Sequence, residues 1–271
     1  MSAVALIFFG DAGTSRAPQY EVGAAVAAWC AQHPCDFVAL LGDNFYPTGV
    51  DSVNDPGWDR AYLKPYSAIN LPFYPALGNH DYLGSVRAQL RFEDPTGRWL
   101  PDGRRYTFSV GDADFFVIDT QRRPRSQRRW LTRKLRRSTA PWKVVYGHKP
   151  FRSAGKHGGD ATLEAQLLPV LTAYGVQFYL AGHDHHAEVR SGTPTQVVMG
   201  TGGAELRPVA ADPAQLYAES AYGFGYLLLD DKEATLQVVG SDGAPRFEYR
   251  WPRTDPAPGQ PASALNPGVG P

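Results

Sequence analysis

Ala3-Val4-Ala5-Leu6-Ile7-Phe8-Phe9-Gly10-Asp11-Ala12-Gly13 is the stretch that decides the fold, because seven apolar residues run unbroken and stop at a glycine followed by a carboxylate. A run of this length bounded by turn residues predicts a strand buried on both faces, the kind found in α/β sheets covered by helices. The pattern recurs down the chain. Phe37 to Leu41 stops at Gly42-Asp43-Asn44-Phe45-Tyr46, and Phe73 to Leu77 at Gly78-Asn79-His80-Asp81. Lys143 to Tyr146 stops at Gly147-His148-Lys149-Pro150, and Phe178 to Ala181 at Gly182-His183-Asp184-His185-His186. Phe115 to Ile118 is a further apolar run. Helical patterns over Glu21 to Gln32, Trp58 to Ile69, Ser85 to Phe92, Ser126 to Arg137 and Thr162 to Tyr174 lie between several of these runs. Such alternation indicates βαβ units.

Two segments depart from the alternation. Arg104 to Val110 and Asp114 to Ile118 read as a hairpin through Gly111-Asp112. After His186, the strands Thr195 to Met199, Tyr222 to Leu229, Ala234 to Val239 and Phe247 to Trp251 follow one another without helices, which predicts antiparallel pairing in a second sheet. Both patterns are met by an α/β fold in four layers, an αββα sandwich of two mixed β-sheets flanked by helices. Residues 1–253 read as one catalytic domain. Residues 254–271, dominated by Pro, Ala and Gly, read as a disordered tail that cannot bury enough surface to offset its ordering entropy. Ala204 to Ser220 is the longest poorly patterned internal stretch, and its length marks it as a wall of a substrate cleft.

Composition narrows the class. With 43% hydrophobic residues and six Trp, the 271-residue chain has material for a large core without disulfide staples, so Cys30 and Cys35 read as packed thiols. No apolar run approaches the roughly twenty residues of a membrane span. The first run lacks a basic start and leads straight into Gly10-Asp11, so it reads as a strand, not a signal peptide, an expectation that favours the cytoplasm. The 27 basic and 27 acidic residues balance, which argues against a coat for nucleic acid. Between Asp119 and Asp160, however, there is no acidic residue and there are thirteen Lys and Arg. That segment is either a solvated helix face, with Trp130, Leu131 and Leu135 inward, or an electrostatic funnel for anions near His148.

Five of the seven histidines fall in the three motifs around His80, His148 and His183. Each candidate ligand lies just past the C-terminal end of an expected strand, where open α/β sheets gather their ligands. Carboxylate, amide, phenol and imidazole suit hard or borderline cations, and two closely spaced metals usually serve hydrolysis of a phosphate ester. Gly200-Thr201-Gly202-Gly203 lacks the Lys of a nucleotide-binding loop and reads as a close backbone approach. Asp81 is expected either to accept a hydrogen bond from a neighbouring imidazole or to be a turn residue, Asp184 and His186 to shape the last ligand loop, and His33 to be a C-terminal cap of the first helix or a solvated residue.

Asp11, Gly42-Asp43-Asn44-Phe45-Tyr46, Gly78-Asn79-His80-Asp81, Gly147-His148 and Gly182-His183-Asp184-His185 together resemble the motif set of the purple acid phosphatases, within the calcineurin-like metallophosphoesterases, and the compact length is similar to the small tartrate-resistant type. The resemblance implies Fe(III) held by Asp11, Asp43, Tyr46 and His185, and a divalent metal (Fe, Zn or Mn) held by Asp43, Asn79, His148 and His183, with Asp43 bridging. It also implies His80 and His157 facing the substrate phosphate, hydrolysis of phosphate monoesters through a metal-bound hydroxide, and export from the cytoplasm. The expected partner is a small phosphate ester, with no nucleic acid and no membrane, and the oligomeric state is left open. Where relatives often carry an acid before the second of these histidines, this chain has Lys156, which should lower the pKa of His157. Two alternatives stay open: a phosphodiesterase or nucleotide hydrolase using two divalent metals, and a catalytically silent phosphate-binding protein.

Overall fold

A computed structural model describes residues 3–253; the expected tail at 254–271 lies outside the described residues. In chain order the elements are β1 (Val4–Phe9), α1 (Ala17–Cys30), β2 (Phe37–Leu40), β3 (Phe73–Pro75), α2 (Val86–Arg91), β4 (Tyr106–Val110), β5 (Ala113–Val117), α3 (Pro124–Leu135), β6 (Trp142–Tyr146), α4 (Ala161–Ala173), β7 (Phe178–Ala181), β8 (Ala187–Arg190), β9 (Thr195–Met199), β10 (Gln215–Glu219), β11 (Gly223–Leu229), β12 (Glu233–Gly240) and β13 (Pro245–Pro252). Where a helix was expected over Trp58 to Ile69, the helical backbone is shorter, with α geometry at Gly57 and Trp58 leading into a π turn at Asp59–Leu63 and turns from Lys64 onward.

Two mixed sheets stack face to face. One has the order β13-β12-β11-β1-β2-β3 and the other β10-β8-β9-β7-β6-β5-β4. The period-two geometry of β1 explains why its sequence is apolar throughout. Val4, Leu6 and Phe8 point into the inter-sheet core beside Phe37, Phe115 and Phe178, and Ala5, Ile7 and Phe9 point outward under Val22, Val26 and Trp29 of α1. On the far side, Leu131 and Leu135 of α3 and Leu163, Leu167 and Leu171 of α4 cover Phe116, Val145 and Tyr179. The result is the four-layer αββα sandwich.

The late strands do not build a sheet of their own. β11 pairs antiparallel with β1, Val4 opposite Leu229, so β11, β12 and β13 complete the first sheet. β9 instead pairs parallel with β7 in the second sheet. The reason is the free flank of β1, which pairs on one side only with β2 and would leave buried amides and carbonyls without partners.

Cys30 and Cys35 correct another expectation. They form a disulfide, because the chain reverses directly after α1 and brings their Cα atoms to 5.6 Å. Two helix starts are capped as their sequences allow: Ser85 accepts from the Ala88 amide and Asp160 from the Leu163 amide.

Candidate metal centre

The C-terminal ends of β1, β2, β6 and β7 meet, and the turns that follow them are tied backbone to backbone. The Asp11 amide donates to the Gly42 carbonyl at 3.0 Å, and the Gly182 amide to the His148 carbonyl at 2.9 Å. Asp11, Asp43 and His183 all take positive φ, at 57°, 54° and 73°. That conformation costs non-glycine residues of order 1–3 kcal/mol and persists where surrounding structure enforces it, often at functional sites. Two glycines make room for the carboxylates. A Cβ at Gly78 would stand 2.2 Å from Asp43 Oδ1, and one at Gly182 would stand 2.5 Å from Asp11 Oδ2.

All seven side chains expected as ligands converge. Asp11, Asp43 and His148 are buried and offer donor atoms within 4.8 Å of one another. The Tyr46 hydroxyl lies 2.9 Å from Asp43 Oδ2, 3.1 Å from Asp11 Oδ1 and 3.4 Å from His185 Nε2. His148 Nε2 lies 3.0 Å from Asn79 Oδ1, 3.1 Å from His183 Nδ1 and 3.4 Å from Asp43 Oδ2. Backbone carbonyls fix two of the ring orientations. His148 Nδ1 donates to Leu41 O at 2.9 Å and His185 Nδ1 to Glu205 O at 2.8 Å, which turns each Nε2 toward the cluster.

Among the protein's own groups, protonated imidazole is what offsets the two carboxylates. Burial opposes ionisation of Asp11 and Asp43, yet the neighbouring His148 holds both carboxyls below their ordinary range. Burial likewise opposes a charge on His148, but Asp43 and Asp11 outweigh it and push the imidazole up to about 9. His183 moves the other way, to about 3, because it is buried beside a protonated His148. Burial, then Asp11 and Asp43, drive the Tyr46 phenol far above its ordinary value. A phenol wedged between two carboxylates does not ionise unaided, whereas a highly charged cation reverses that balance. The donors therefore fit hard or borderline metal ions, which would take the place of the proton on His148.

The two histidines expected to face substrate lie at the rim. His80 is about a third exposed, with Nε2 3.9 Å from Asp43 Oδ2. Its Nδ1 is held by Pro47 O at 2.6 Å and its ring packs 4.3 Å from that of Tyr46. His157 stacks on His183 with ring centroids 4.5 Å apart, and its Nε2 meets the guanidinium of Arg207. The pKa of His157 is lowered as expected, but burial and Arg207 are the main causes and Lys156 a minor one. Arg207 was not singled out from the sequence. The only signal for it was the length of the segment that carries it, Ala204 to Ser220, of which Glu205 and Arg207 border the site while Gln215–Glu219 form β10 at the edge of the second sheet.

Asp81 does not serve an imidazole. It accepts from the Gly78 and Asn44 amides at 2.8 and 3.0 Å, from Asn44 Nδ2 at 3.1 Å and from Gln89 Nε2 at 3.0 Å, and so knits two ligand loops together. Asp184 Oδ1 accepts from the His157 amide at 2.9 Å. His186 turns away from the cluster to Glu188 Oε2 at 3.1 Å, and His33 packs on Trp29 with Nδ1 against its carbonyl. The Gly202 amide donates to Gly10 O at 3.0 Å, the close backbone approach read from that glycine run. A cleft of about 290 Å³ opens from His157 and His183 toward Lys149 and Thr162.

Comparison with known proteins gives concordant results. The profile described as Calcineurin-like phosphoesterase matches residues 6–187. The chain is 32% identical over 255 residues to "Purple acid phosphatase 3" of Arabidopsis thaliana, covering 81% of this chain and 69% of the relative. It is 30% identical over 258 residues to "Tartrate-resistant acid phosphatase type 5" of Homo sapiens, covering 80% and 79%. Among solved structures, "GAP50 the anchor in the inner membrane complex of Plasmodium" superposes with a TM-score of 0.85 at 24% identity, covering 94% of this chain and 90% of that one, a likeness of fold alone.

Proposed function

The chain belongs to the calcineurin-like phosphoesterase family, and from that premise we propose that it is a phosphate monoesterase with an Fe(III) and divalent metal pair. The observation that carries the reading is the convergence of one phenol, two carboxylates, one amide and three imidazoles on a single cluster, four of the seven residues buried and three half-buried. In this reading residues 1–253 form the catalytic domain. Asp11, Asp43, Tyr46 and His185 hold the ferric ion, and Asp43, Asn79, His148 and His183 hold the divalent one.

When bound, the metal pair supplies Lewis acidity toward the phosphoryl oxygens and a nucleophile drawn from water. The carboxylates of Asp11 and Asp43 and the Tyr46 phenolate would offset three of the five positive charges of such a pair, leaving a site that would attract a phosphate ester. The protein's own groups handle orientation and protons. His80, pinned through Nδ1 by Pro47, holds its other nitrogen 3.9 Å from Asp43 Oδ2, within reach of an ester bound at the cluster. His157 is kept neutral by burial and by Arg207, so it accepts or relays a proton while the guanidinium supplies positive charge to the ester. The Cys30–Cys35 disulfide supports an oxidising compartment.

The test is turnover of nitrophenyl phosphate against its bis ester by protein reconstituted with iron and zinc or manganese. The reading predicts a monoester preference of at least tenfold. Faster diester cleavage, with two divalent ions sufficient for full rate, would replace it with the phosphodiesterase alternative.

A further inference from the structure

α3 carries charge that neither its own stability nor the metal centre requires. Its inner face, Gln127, Trp130, Leu131 and Leu135, is buried. On its outer face Arg125, Arg129, Arg133 and Arg136 are exposed and fall within one stripe at 3.6 residues per turn, roughly 16 Å long, with Arg128 and Arg137 flanking it. Elsewhere in this acid-free stretch, Lys149 and Arg152 find partners in Asp160 and Glu164. Among the described residues these six arginines have no ion-pair partner. Like charges three and four residues apart destabilise a helix, and cations near its N-terminus oppose the helix dipole. A pattern that works against the helix bearing it points to an external partner.

The chemistry of that partner follows from the stripe. It is built from arginine, whose planar fork matches phosphate oxygens two at a time. No large apolar side chain is exposed on α3, since Trp130 lies beneath Arg105 and Lys134. Nucleobases therefore have no exposed aromatic ring to stack on, and a lipid layer receives no inserting face. The cations also form a row and not a plate. The loop that leads into α3 touches the segment carrying His148, for the Lys149 amide donates to Thr120 Oγ1 at 3.1 Å, five residues along the chain from Arg125.

We propose that α3 is a docking ridge for a linear polyphosphate chain, laid along Arg125, Arg129, Arg133 and Arg136 with one end at the rim of the metal centre. The fate of that end rests on the phosphatase reading. The oxygen of water joins the terminal phosphorus, the anhydride P–O bond breaks, and its electron pair leaves on the shortened chain. One proton of the water stays on the released phosphate and the other goes to the new terminus. Docking itself does not depend on that step.

The test compares full-length protein with the R125Q/R129Q/R133Q/R136Q variant for binding of a fluorescent linear polyphosphate at several salt concentrations, with circular dichroism confirming the variant's fold. The expected result is a Kd raised at least tenfold in the variant and a weaker salt dependence. Equal affinity of the two proteins would overturn the proposal, and so would tighter binding of the unaltered protein to anionic phospholipid vesicles or duplex DNA than to polyphosphate. Nitrophenyl phosphate turnover, read in parallel, reports the metal centre separately. Loss of turnover in both proteins with ridge-dependent binding intact would overturn the phosphatase reading and leave the ridge standing.

Discussion

Tyr46 is the residue on which the iron assignment turns, because its oxygen lies about equally near both buried carboxylates. Tyr46→Phe should keep the fold and abolish any visible absorption band of the iron-loaded protein, as an absorption spectrum of the two proteins will show. A second prediction concerns Glu188, buried without solvent contact and bonded to His186, Arg190, Gln215 and the Ala154 amide. Burial opposes its charge, but these donors bring its carboxyl from the ordinary 4.5 down to about 2. A depressed carboxyl stabilises the fold fully above 4.5 and loses that contribution as pH falls toward about 2. Glu188→Gln should therefore cost about 3 kcal/mol in urea melts at pH 7, and the gap should narrow progressively below pH 4.5. At this scale the convergence of the expected ligands was legible because their motifs follow strand ends with a turn glycine. Arg207 and the true partners of Asp81 were not, because they depend on which loops meet in space.

At the scale of elements, the strands with continuous apolar runs could be read directly, and those with mixed chemistry could not. β8 hides Glu188 and Arg190 inside a sheet, and β10 is half-buried and polar, so neither carries an apolar signal. The turn between α1 and β2 was misread for a related reason, since a pair of cysteines does not declare whether its Cα atoms come within bridging range. Closing so short a loop is worth about 2 kcal/mol on the chain-entropy estimate. The Cys30→Ser and Cys35→Ser double variant should lose that amount in denaturant unfolding under oxidising conditions, and the unaltered protein should fall to the same level in reductant. α3 is the element whose sequence was most ambiguous, a solvated face or an anion funnel. Its unpaired arginine row favours a role toward anions over a neutral surface.

Considered as a whole, the molecule brings distant segments of chain to one spot by stacking two sheets whose strand ends coincide. The layer architecture could be read from alternating apolar runs and helices. Which sheet each late strand joins could not, because sequence order says nothing about the open flank of β1 that β11 fills. The same convergence predicts that stability rises when metal binds the cluster. Without them, Asp11 and Asp43 are offset by little more than the proton on His148. Ligands that bind only the folded state stabilise it by mass action. Chelation should lower the Tm by several degrees, and restoring iron with a divalent ion should recover it, as thermal scans will register.

Metal analysis of the purified protein, with turnover of nitrophenyl phosphate followed before and after stripping, tests the central claim most directly. The prediction is two metal ions per chain, one of them iron, with turnover lost on stripping and regained on reconstitution. A metal-free protein that kept its full turnover would contradict it.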